Sequence, residues 1–204
     1  MSKFKSIGFP LVLSAILFIS LLGWLRNGRS TQAAPLATTW FVNATTGDDI
    51  NNSCLDSGNA CATIGGAIGK AAQDDVIQIA AGTYTENRVV PDLTLNGAGV
   101  GNTIVDGNMS GRVLETTGNV AITNMTIQNG LFNPGDIFGG AGIANYGNLL
   151  VQDSLITGNS TSTSGGGIFN NNQLTLVDSE VSGNSADSTG GGIINYSNDT
   201  LTVT

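Results

Sequence analysis

The chain has 204 residues, of which 29 are glycine, 11% are charged, 40% are hydrophobic and none is histidine. That is long enough for one domain with a sizeable core, and the missing histidine excludes the usual Ser-His-Asp triads and His-bearing zinc sites. The net charge of −8 is unevenly spread: Lys3, Lys5, Arg26 and Arg29 precede every acidic residue, and beyond Ala34 only Lys70, Arg88 and Arg112 stand against all 15 acids, leaving −12. Such a surface repels phosphate backbones and anionic lipid, so no nucleic-acid partner is expected; it suits solubility or weak binding of a divalent cation such as calcium.

In chain order, residues 1–33 read as an export address. Lys3 and Lys5 precede an apolar run from Ile7 to Leu25, and Thr31-Gln32-Ala33-Ala34 offers small residues at the −3 and −1 positions of a cut after Ala33. A retained membrane anchor is the other reading, since Arg26 and Arg29 come directly after the run. Either way the remainder leaves the cytoplasm, as a secreted or cell-surface protein. Residues 34–75 come next as an N-terminal cap segment. Cys54 and Cys61, the only cysteines, lie there in an Asn/Ser/Gly-rich loop where they can close a disulfide in an oxidising compartment or stand as two free thiols. From Ala62 to Ala72, Ile64, Ala67, Ile68 and Ala71 fall on one helical face, a short helix able to lid the first coil of a repeat domain.

Residues 76–204 are governed by a repeat. Gly142-Ile143, Gly167-Ile168 and Gly192-Ile193 recur at a fixed period, each followed by an asparagine: Asn145, Asn170 and Asn195. Asp153-Ser154 matches Asp178-Ser179, and Gly158-Asn159-Ser160 matches Gly183-Asn184-Ser185. A period of about 25 residues without helix-forming stretches signals a solenoid of strands. Leu149 and Val151, like Leu174 and Leu176, alternate with polar neighbours, so each run is a strand with one face inside. Three strands separated by Gly/Asn/Ser turns make one coil. Looser copies at Leu93–Asn96 and Val120–Asn124 extend the stack upstream, giving about five coils. The expected fold is all-β, a right-handed single-stranded parallel β-helix with a short N-terminal capping helix. Asn145, Asn170 and Asn195 should stack as a hydrogen-bonded ladder, each amide donating to one copy and accepting from the other. The last repeat stops at Leu201-Thr202-Val203-Thr204 before its Asp-Ser turn, so a truncated C-terminus is expected.

The passage Trp40-Phe41-Val42-Asn43, Cys61-Ala62-Thr63-Ile64 and Asp75 to Glu86, with Ala-Gly-Thr-Tyr-Thr-Glu as its specific part, resembles the opening of right-handed β-helix proteins of the pectin-lyase-like superfamily. The later Gly-Gly-Gly-Ile-x-Asn units are similar to repeats of bacterial surface β-helix proteins, including polymorphic outer-membrane-protein-type repeats. The resemblance spans roughly residues 40–204. It implies the fold and export; activity it leaves open, because this architecture carries polysaccharide lyases, hydrolases, adhesins and proteins of no known activity. In a lyase of this kind, acidic residues would hold calcium and an arginine or lysine would take the proton beside a uronate carboxylate.

No catalytic residue and no resident metal is assigned. Arg88 and Arg112 are the only arginines beyond the address, and neither lies beside a dense acidic cluster. Asp153 and Asp178 are held one coil apart by the repeat and admit three readings: turn-formers accepting a backbone N–H two residues on, contacts for calcium or a sugar, or a glycosidase pair. One irregular loop, Leu131 to Gly139 with Phe132, Pro134 and Phe138, could overhang a groove. Two functions remain: an adhesive, structural or carbohydrate-binding scaffold with polysaccharide or cell-envelope partners, touching the membrane only through an uncleaved N-terminus; or a polysaccharide lyase or glycoside hydrolase.

Overall fold

The computed structural model describes residues 36–132, 139–196 and 199–204. The apolar run Ile7–Leu25, the cleavage position after Ala33, Pro134 and Phe138 lie outside the described residues. Among those described, the fold is all-β apart from one helical turn and a short 3-10 segment, and the strands stack in parallel as a β-solenoid.

The chain repeats one circuit through four parallel sheets. Sheet 1 holds seven strands: Thr39–Val42, Val76–Ile79, Thr94–Asn96, Asn119–Thr123, Asn148–Gln152, Gln173–Val177 and Thr200–Val203. Sheet 2 has five, at Gly82–Thr85, Thr103–Asp106, Thr126–Gln128, Leu155–Thr157 and Glu180–Ser182. Sheet 3 has three short ones, Leu131–Phe132, Ser160–Thr161 and Ser185–Ala186. Sheet 4 has five: Arg88–Val90, Leu114–Thr116, Ile143–Asn145, Ile168–Asn170 and Ile193–Asn195. Sheet 1 begins at Thr39, inside the segment read from sequence as preceding the coils; Trp40 pairs with Ile77 in register.

Period-2 alternation explains the register. Ile77, Leu95, Ile122, Val151 and Leu176 lie directly above one another, each at most 4% exposed. Successive steps of this column are 18, 27, 29 and 25 residues. Fully burying each such side chain is worth about 1.5–3 kcal/mol, and a slip by one residue would turn the whole column outward. A fourth strand joins the three expected per coil, because the Gly-Asn-Ser stretch is more than a turn. Ser160 and Ser185 pair in parallel, and the Ser185 hydroxyl donates to that of Ser160 at 2.9 Å.

The corners are made by backbone that turns left-handed at fixed places. Between sheets 1 and 2 the non-glycine residues with positive φ are Asn124, Asp153 and Asp178, at 58°, 48° and 46°. Asn and Asp tolerate that region better than other side chains do. Close approach matters at Gly142 and Gly167, where an added Cβ would stand 2.5 Å and 2.6 Å from the carbonyl oxygens of Gly167 and Gly192.

At the N-terminal side, Cys54 and Cys61 are disulfide-bonded with Cα atoms 5.0 Å apart, and both are fully buried. Cys61 donates its N–H to Phe41 and accepts from Asn43, adding an isolated bridge beside the first strand of sheet 1. The helix is one turn, Ile64–Ile68, with Ile64 and Ala67 buried and Ile68 and Ala71 packed against the core. Its free N–H groups are satisfied by side chains: Thr63 Oγ1 accepts from Gly66, and the Glu86 carboxylate accepts from Ile64 and Gly65 at 2.8 and 2.9 Å.

Candidate functional site

Most polar groups singled out from the sequence are engaged in holding coils together. Asn145 Nδ2 donates to Asn170 Oδ1 at 2.7 Å, and Asn170 Nδ2 donates to Asn195 Oδ1 at 2.6 Å. Asn145 and Asn170 are fully buried. Below them Thr116 Oγ1 donates to Asn145 Oδ1, so the stack starts on a hydroxyl. A second asparagine stack runs between sheets 2 and 3, where Asn159 Nδ2 donates to Asn184 Oδ1 at 2.9 Å and Asn159 Oδ1 accepts from the Gly130 N–H.

Asp153 and Asp178 come after the paired residues Gln152 and Val177 at the corner between sheets 1 and 2, both exposed. Their turn chemistry differs from the one expected. Neither carboxylate takes a backbone N–H two residues on; Asp153 Oδ2 accepts from its neighbour Gln152 Nε2 at 3.0 Å. The left-handed corner is bridged by the adjoining serines instead. Ser154 Oγ donates to Gln152 O and accepts from Met125 N, and Ser179 Oγ donates to Val177 O and accepts from Ser154 N. Among the described residues no group of three or more Asp, Glu or Cys is placed to hold a metal ion.

Two further carboxylates, Asp75 and Asp106, are saturated by hydrogen bonds from neighbouring groups. Burial pushes the Asp75 carboxyl up, but hydrogen bonds from Trp40 Nε1, Ala72 N and Thr38 N outweigh it and hold the group below the ordinary carboxylate value. At Asp106 burial again raises, and donation from Gln128, Asn108 and Asn129 lowers further, with the net shift downward. An acid of this kind stays ionised and is a poor proton donor at neutral pH.

Both arginines are committed to structure. Arg88 Nε lies 2.6 Å from Glu86 Oε2, the carboxylate that holds the helix N-terminus. Arg112 pairs with Glu115 at 2.6 Å, donates to the carbonyls of Gly139 and Gly140, and lies over the Phe132 ring with its Cζ 4.5 Å from the centroid. Its side chain is 13% exposed. Through Phe132 on one side and Gly139 and Gly140 on the other it ties together both flanks of the irregular loop.

A concavity lies on the outer face of sheet 1. It is a trough of about 490 Å³ floored by Thr94, Ala121, Leu150 and Thr175, which stack in register across four coils. Along one side runs a rail of exposed amides, Asn119, Asn148 and Gln173, likewise in register. Asn148 Nδ2 donates to Asn119 Oδ1 at 2.8 Å, and Asn119 donates its side chain and backbone N–H to Asp92 Oδ1. Among the described residues nothing donates to Asn148 Oδ1, and the Gln173 side-chain amide has no protein partner. Asp74 is the trough's one ionisable lining group.

Sequence reasoning passed over this rail. Asn119, Asn148 and Gln173 each immediately precede an inward aliphatic residue, Val120, Leu149 and Leu174, at the spacing of the inward column. That shared offset was the available signal. Comparison with protein-family models and with curated proteins returns no match for this chain.

Proposed function

We propose that this protein is an exported or cell-surface β-solenoid scaffold that binds carbohydrate on the outer face of sheet 1 and turns nothing over. The observation that carries the reading is the trough: a concave, amide-railed surface extending over four coils, with hydrogen-bonding groups left to solvent at Asn148 and Gln173. Amides offer both donors and acceptors, which is what hydroxyl-rich ligands require. Arginine chemistry of the lyase kind has no support, because Arg88 and Arg112 are paired with Glu86 and Glu115, and neither lines the trough. The buried disulfide suits an oxidising compartment, the one the N-terminal segment would lead to. The test is a glycan-array screen of the purified protein with and without calcium. Saturable, calcium-independent binding to a polysaccharide, leaving its chain length unchanged, is the expected result; no binding, or shortening of the glycan, defeats the reading.

A further inference from the structure

We infer that the trough selects an uncharged polysaccharide and excludes polyuronates, with the glycan lying along the solenoid axis and Asn148 and Gln173 as its principal hydrogen-bonding contacts. This rests on the carbohydrate-binding reading above and names the ligand class within it.

The first ground is electrostatic. Two outward columns on sheet 1, one running in register from Thr39 to Thr202 and the other from Phe41 to Val177, contain no charged side chain. Yet the chain beyond Ala34 carries −12. A long neutral face in an acidic protein leaves a polyuronate with no cation to meet and with Asp74 at the trough to repel it, in the field of the whole chain. A neutral glycan loses nothing to that field.

The second ground is directional. Asn119 spends its amide on Asp92 and its oxygen on Asn148, so hydrogen-bonding capacity is used up at that end of the rail. It reopens at Asn148 Oδ1 and Gln173, on successive coils. Coils repeat about every 4.8 Å along the axis, close to the length of one sugar ring, so neighbouring rings of an axial chain can meet equivalent amides. Leu150 and Ala121 supply a shallow apolar floor for C–H faces. They are too few to form the desolvated centre that a second copy of the chain would need.

The test uses affinity electrophoresis and titration calorimetry on the full chain with hydroxyethyl cellulose and xyloglucan as neutral probes and polygalacturonate as the charged one, at low salt. The expected result is retention by at least one neutral polymer and none by polygalacturonate. Asn148→Ala combined with Gln173→Ala, both exposed positions, should weaken neutral binding about tenfold or more while the thermal midpoint stays near that of the parent. Ala121→Lys places a cation on the trough floor and should confer retention by polygalacturonate. If the unaltered protein binds polygalacturonate in preference to neutral polymers, the ligand class is overturned while carbohydrate binding stands. Neutral binding unmoved by the double substitution overturns the site. If no polysaccharide of either class is retained, both this inference and the reading beneath it fall.

Discussion

Replacing Asn170 tests whether the amide stack is a specific hydrogen-bonded device or merely filled space. Its amide makes four side-chain contacts: it accepts from Asn145 Nδ2 and donates to Asn195 Oδ1, Asn172 O and Thr200 O. In Asn170→Ala the losses are unequal. Asn195 is exposed and can turn to water, and the two carbonyls are only part-buried. Asn145 is fully buried, and one of its amide hydrogens loses its acceptor while the other keeps Gln173 O at 2.8 Å. One buried orphan plus a small void corresponds to about 1–3 kcal/mol, and about 2 kcal/mol should lower the thermal midpoint by about 4–8 °C for a chain of this size. The isosteric Asn170→Asp is the sharper test. A carboxylate can still accept from Asn145 but confronts three acceptors where an NH₂ stood, and must be buried with its charge. Its folded pKa should therefore rise above the unfolded value. The penalty is then greatest above the folded pKa and shrinks as acid protonates the group. Urea denaturation at neutral and mildly acid pH reads both effects. An unchanged midpoint in the alanine variant, or an aspartate variant as stable as the parent at neutral pH, refutes the stack as a hydrogen-bonded device.

Non-reducing peptide mapping should recover Cys54 and Cys61 in one linked fragment, and Cys54→Ala should cost about 2–3 kcal/mol through the short loop it releases; a parent protein whose two thiols both alkylate without reductant would contradict this. Purified protein should release no unsaturated uronate from pectin or alginate, with or without calcium, and Arg112→Gln should lower stability while leaving glycan binding as it was. Turnover lost on Arg112→Gln would instead place that guanidinium in catalysis. Asp75 contributes stability above the unfolded carboxylate pKa that is lost as pH falls through its depressed folded value. Asp75→Asn should accordingly be less stable than the parent at neutral pH, with the gap closing on acidification, and a gap that widens in acid would show the sign to be wrong.

The solenoid was legible because its determinants are local and periodic. Alternation at Leu149, Val151, Leu174 and Leu176 dictates which face is inside, and a constant offset dictates what stacks on what. The strand at Ser160–Thr161 was not legible, since Ser, Thr and Asn favour turns on their own and become strand here through the neighbouring coil. Asp153 and Asp178 illustrate a subtler gap. An Asp-Ser pair announces a corner, but sequence does not say whether the Asp oxygen or the Ser hydroxyl bridges it, because that depends on the serine of the next coil. The amide rail escaped notice for the opposite reason: exposed Asn and Gln are ordinary, and only register reveals that three of them line one trough.

Stacked identical positions bear on how such a chain can change in length. Asn145 meets Asn170 as Asn170 meets Asn195, and Gly142 meets Gly167 as Gly167 meets Gly192. Adjacent coils in this stretch thus share a single interface, used over again. Duplicating or deleting one whole unit between Gly142 and Gly192 would leave every junction of a kind already present, whereas adding a single residue inside the strand Gln173–Val177 would turn its remaining inward side chains out. Solenoid length can drift in whole modules at little cost to folding, while the cross-section stays fixed, and a longer array would lengthen the trough without redesigning it.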